Sequence, residues 1–85
     1  MKLSVRGLAV AVGALWGGAM LIITLIALAV PGYGQALLEV VASVYPGLEA
    51  EPSIGGALLG GAYGVVDGGI FGALLAWLHN RFAGA

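Results

Sequence analysis

Apart from Asp67, charged side chains are confined to three segments, and long apolar stretches separate them. The first stretch runs from Gly7 to Val30 without a single charge. The second runs from Ile54 to Leu78, and its one charged side chain is Asp67. A bilayer core about 30 Å thick is crossed by about 20 helical residues rising 1.5 Å each. Both stretches reach that length. Two spans cannot close a barrel, and lipid offers no partner to open backbone groups, so helix is the expected state. The predicted organisation is a cytoplasmic N-terminus (1–6), a first span (7–30), an outer connector (31–53), a second span (54–78) and a cytoplasmic C-terminus (79–85). The expected fold class is therefore an all-α membrane protein, a two-span transmembrane helical hairpin.

The segments between the spans carry boundary signals. Lys2, Ser4 and Arg6 precede the first span, and Pro31-Gly32 ends it. Pro52 and Ser53 stand where the second should start: proline suits a first turn and serine caps it. His79, Asn80 and Arg81 close it, where cations favour a helix C-terminus. Within the connector, Leu37, Leu38, Val41, Val44 and Tyr45 recur at helical spacing, with Gln35, Glu39, Ala42 and Ser43 opposite. That pattern predicts a short interfacial helix over about 35–45, stopped by Pro46-Gly47.

Charge then orients the hairpin. Lys2, Arg6 and Arg81 lie at the ends, while the connector holds Glu39, Glu49 and Glu51 and no basic residue. The positive-inside rule puts both termini in the cytoplasm of a bacterial inner membrane and the connector outside. Tyr33, Trp77 and Arg81 are the expected interface anchors. A cleaved signal peptide is the competing reading of the start, with Ala27-Leu28-Ala29 as its site, but the apolar region is too long for one.

Composition reinforces the pattern. The chain of 85 residues is 61% apolar, includes 16 glycines and is only 8% charged, against about 25% charged in soluble domains. So small a chain cannot hide that surface from water. No basic patch exists to neutralise phosphates, which excludes a nucleic-acid partner. With no cysteine and a lone His79, neither a metal site nor thiol chemistry is expected. No nucleophile–base pair or phosphate loop is present, so neither an enzyme nor a cofactor is expected. Thr24 is expected to bond its own helix. The partners to expect are membrane lipid and other transmembrane helices, of this chain or of another protein.

Glycine is not spread evenly. Gly56, Gly60, Gly64, Gly68 and Gly72 follow one another at intervals of four, continued by Ala76 and Asn80, with Gly61, Val65, Gly69 and Ala73 beside them. Rows of small residues let helix backbones touch, the main attraction left between helices in lipid. The first span offers Gly13, Gly17 and Gly18, with Ala9 and Ala14. The row drifts about 40° per step, or about 160° from Gly56 to Gly72. Either the partner crosses right-handedly, or the groove serves two neighbours, one of them in another molecule.

Asp67 lies near the middle of the second span, slightly closer to Leu78 than to Ile54. A charged Asp there costs about 2.5–3.5 kcal/mol on insertion scales and marks a functional candidate. Pairing the span ends at equal depth sets Asp67 opposite Gly18. Trp16, or backbone near Gly17, is then the expected hydrogen-bond partner, and Tyr63 shares the Asp67 face. Three roles follow for Asp67: polar glue between helices, proton or cation conduction, and contact with a foreign partner.

The run from Gly61 to Asn80, GAYGVVDGGIFGALLAWLHN, resembles the second span of small bacterial proteins labelled bacteriophage holin. Their pattern is close to W-G-F-V-D-G, small residues, then A-W-L-Y-N. Leu15-Trp16-Gly17 is similar to their L-W-G in the first span. Tyr63, Val65 and His79 replace the usual Trp, Phe and Tyr, and the connector matches poorly. The resemblance implies an oligomeric two-helix protein that permeabilises the inner membrane for an endolysin. The alternative is an accessory subunit of a larger respiratory, photosynthetic or transport complex. The rotor-ring c subunit of rotary ATP synthases also carries a mid-span carboxylate in a glycine-rich hairpin. Its loop is short, polar and cytoplasmic, unlike the long acidic connector from Pro31 to Ser53.

Overall fold

The computed structural model describes residues 2–83; Met1 and residues 84–85, at the tips of the two expected cytoplasmic segments, lie outside it. The described residues form three helices and no strand: α1 (Val5–Ala29), α2 (Gln35–Val44) and α3 (Ile54–Phe82). α1 and α3 are long and apolar enough to cross a membrane. They pair as an antiparallel hairpin, with overall extents of 50 × 20 × 18 Å.

Each long helix starts on a serine cap. Ser4 Oγ accepts from the Gly7 amide at 2.9 Å, and Ser53 Oγ from the Gly56 amide at 2.8 Å. These caps satisfy amides that the first turn leaves without a helical partner. α1 ends before Pro31, and the chain reverses through Gly32 and Gly34, both at positive φ (87° and 65°). The ends of the hairpin are also tied. Asn80 Oδ1 accepts from the Leu3 amide at 2.7 Å, and Asn80 Nδ2 donates to the Leu3 carbonyl at 2.8 Å.

The glycine row lies inside this hairpin. The buried residues of α3 are Ala57, Gly60, Gly64, Gly68, Gly72 and Ala76; those of α1 are Gly13, Gly17, Met20, Thr24 and Ala27. A methyl group built on Gly64 would stand 2.6 Å from Gly17 Cα, and one on Gly68 2.8 Å from the Val12 carbonyl oxygen. At Gly72 it would strike the Leu8 carbonyl, and at Gly13 it would stand 2.8 Å from the Val65 carbonyl oxygen. These contacts are with backbone, which no rotamer change can move. Close approach of this kind requires glycine on both helices.

Within the chain, α1 lies against the row from Gly60 to Gly72, the contact expected with the first span. Gly56 lies at its edge, where an added methyl would meet its own cap Ser53, and Gly18 faces open space. The register differs from the expected one. Gly17 faces Gly64 and Gly13 faces Gly68, about one helical turn from the pairing that equal span ends would give. The helices align where their glycines match, not where the ends of their apolar stretches coincide.

A helix is present in the connector as α2, but instead of lying across the outer ends of the spans, as an interfacial helix would, it runs back along the hairpin. A methyl on Gly34 would stand 2.9 Å from Ile23 Cγ2, while Leu37, Leu38 and Val41 share a narrow cleft with Met20, Ile23, Thr24 and Gly60. Tyr45, just after α2, reaches Trp16 and Asp67. The chain then returns past Gly60, with Leu48 Cδ1 3.7 Å from the position of a methyl there, to the start of α3. Leu38 and Val41 are buried by this arrangement, while Glu39 and Ser43 stay exposed.

Candidate functional site

Asp67 of α3 and Trp16 of α1 lie on one side of the hairpin, beside the turn that follows α2. Asp67 lies on α3, one position before buried Gly68, so its own side chain flanks the helix contact. Trp16 flanks the same contact from α1, one position before Gly17. With Val12, Gly68 and Phe71 they line an open recess of about 280 Å³.

Trp16 does not bond Asp67 directly, which corrects the expected pairing. Tyr45 stands between them. Its hydroxyl donates to Asp67 Oδ2 at 2.7 Å, and the Trp16 indole Nε1 donates to the Tyr45 oxygen at a long 3.5 Å. The hydroxyl serves both ends because it can donate and accept together, whereas indole only donates. The Trp16 hydrogen bond favours the Tyr45 phenolate, but burial and the Asp67 carboxylate outweigh it and hold Tyr45 above its usual value.

A second tyrosine fixes Tyr45 in place. The rings of Tyr45 and Tyr63 stack with centroids 5.0 Å apart and planes 22° apart. Tyr63 donates its hydroxyl to the Pro46 carbonyl at 2.6 Å. Offset stacking and one satisfied carbonyl thus pin the turn after α2 against α3. Tyr45 was legible in the sequence only as one apolar position of the α2 face. Its partner Asp67 lies on a different helix, and no local period reports such a contact.

The remaining expected residues divide by location. Thr24 donates to the Met20 carbonyl at 2.8 Å, the expected bond within its own helix. Gly13, Gly17, Gly60, Gly64, Gly68 and Gly72 form the helix contact, while Gly18 and Gly56 do not join it. Tyr33, Trp77 and Arg81 are exposed near the ends of the hairpin. His79 is exposed, with Nδ1 3.5 Å from Asn80 Oδ1. Among the described residues, no group of three or more histidine, cysteine or acidic side chains could hold a metal ion.

Fold and site together define a small helical hairpin, with two helices long and apolar enough to cross a membrane and one carboxylate part-way along its flank. Comparisons with protein-family models, with curated proteins and with solved structures return no match to this chain.

Proposed function

We propose that the chain is a holin-like integral membrane protein whose copies associate side by side and permeabilise the bacterial inner membrane. The observation that carries the membrane part is the inverted distribution of apolar side chains. Val10, Leu15, Ile22, Leu58, Val66 and Phe71 are all more than half exposed, and no large side chain among the described residues is fully buried. The interior is instead made of glycine, alanine and a few medium-sized side chains. A protein surrounded by water would lose stability by that arrangement, whereas lipid tails are as apolar as leucine. The basic termini lie on the cytoplasmic side and the acidic connector on the outer side.

Association is supported by what the hairpin leaves uncovered. Asp67 is exposed along the middle of α3, and its one hydrogen bond among the described residues comes from Tyr45. A carboxylate at that depth is stabilised by helices or water, not by lipid tails. Neighbouring copies turning this flank inward would line a polar path with Asp67. The glycine row keeps each hairpin rigid, and contact between copies uses the outer faces.

The test has two arms. Cysteines introduced at Lys2 and Glu51 report orientation, because the chain has no native cysteine. In intact cells, an impermeant maleimide should label position 51 and spare position 2. Purified protein in dye-filled vesicles should cross-link beyond the dimer and release dye. Extraction at fixed stoichiometry with other proteins, without dye release, would replace this reading with that of an accessory subunit.

A further inference from the structure

We infer that the recess on the hairpin flank is a binding site for a small organic cation, an ammonium group bearing an apolar substituent. Its walls combine one carboxylate, Asp67, with the rings of Trp16 and Phe71 and the side chain of Val12. Tyr45 holds Asp67 from outside the lining through its hydrogen bond to Oδ2. At about 280 Å³ the space approaches the lower limit of ligand pockets. It also has their usual make-up of apolar lining with few polar groups.

Charge selects the ligand class. Lys2, Arg6 and Arg81 all lie at the far ends of the long helices, so no basic side chain of the chain neighbours Asp67. Trp16 and Phe71 line the recess with aromatic rings, and such rings attract cations most strongly where water is scarce. The site does not suit a bare metal ion: it offers one carboxylate and one phenol, whereas hard cations take about six or more oxygens. An ammonium carrying apolar groups matches both parts of the lining. Glu39, Glu49 and Glu51 raise the local concentration of such cations at the connector end.

The site is internal to one hairpin and needs neither self-association nor pore formation. Its failure and that of the proposed function are therefore separable. A Trp77→Phe background leaves Trp16 as the only indole, a reporter inside the recess. Benzyltrimethylammonium is titrated into this protein in detergent micelles, with neopentylbenzene as the uncharged isostere. We expect a saturable change in Trp16 emission with the cation and at least about tenfold weaker binding of the isostere. Asp67→Asn should weaken the cation by a similar factor, and Phe71→Leu by several-fold, while far-ultraviolet dichroism stays unchanged. Equal binding of cation and isostere would overturn the inference, as would an Asp67→Asn protein that binds the cation undiminished. If Asp67→Asn unfolds the chain, the Phe71→Leu protein decides: unaltered cation binding there also refutes the site.

Discussion

Adding one methyl group at Gly68 and one at Gly18 should have opposite effects. Both positions are helical, so replacing glycine by alanine gains about 0.5–1 kcal/mol of backbone entropy at each. At Gly18 nothing lies within 4 Å of the new methyl, and that gain is the whole effect. At Gly68 the methyl would stand 2.8 Å from the Val12 carbonyl oxygen, 3.0 Å from Gly13 Cα and 3.0 Å from Trp16 Cβ. Two of those three atoms belong to the α1 backbone, so relief requires the helices to part. A gap of about 0.5–1 Å forfeits a quarter to a half of each dispersion contact along the interface. Overpacking of this kind costs about 1–3 kcal/mol. Because the backbone gain is common to both variants, the difference between them isolates the clash, about 1–3 kcal/mol. The assay is SDS titration of the protein in mild detergent, followed by tryptophan emission. Gly68→Ala should unfold at lower SDS than the parent and Gly18→Ala at equal or higher SDS. Equal midpoints for the two variants would refute the hairpin contact and its register together.

Four further outcomes are expected. Tyr45→Phe removes the donor to Asp67 Oδ2; a loss of about 0.6–1.7 kcal/mol, the upper range for hydrogen bonds between membrane helices, should show as faster proteolysis of residues 46–53. Tyr63→Phe should act on the same segment by freeing the Pro46 carbonyl, and unchanged proteolysis in both variants would contradict the tyrosine pair. Asn80→Ala should raise amide exchange at Leu3, whose N–H bonds Asn80 Oδ1. It should do so without moving the SDS midpoint by more than about 1 kcal/mol. Thr24→Val should change that midpoint by less than about 0.5 kcal/mol, since its hydroxyl bonds only the Met20 carbonyl of its own helix, a bond that gives helices little. A large loss there would mean that the hydroxyl has a partner on another helix.

The helical elements were readable because their causes are local. Apolar length set α1 and α3, serine with its following turn set their starts, and a helical period in the connector set α2. The observed helices extend beyond the apolar stretches, to Val5 at one end and Phe82 at the other, because caps and helix propensity continue past the last apolar residue. The candidate site was readable only in part. Asp67 stood out as the one charge in a long apolar stretch, and Trp16 was placed near it. Tyr45 was not, since its role depends on a connector that doubles back.

What the amino-acid sequence determined by itself is therefore what each residue's own neighbours impose: two long apolar helices, a short amphipathic one between them, and a regular row of glycine along the last. Tertiary structure decided which atoms meet. Register followed from matching Gly13 and Gly17 to Gly68 and Gly64, because backbone contact is possible only where both helices lack a side chain. That match assigned the row to the chain's own first helix, and it brought Trp16 beside Asp67. The return of α2 then placed the Tyr45 hydroxyl between them. Contacts between residues far apart along the chain depend on how rigid elements fit together, which no local window of sequence contains.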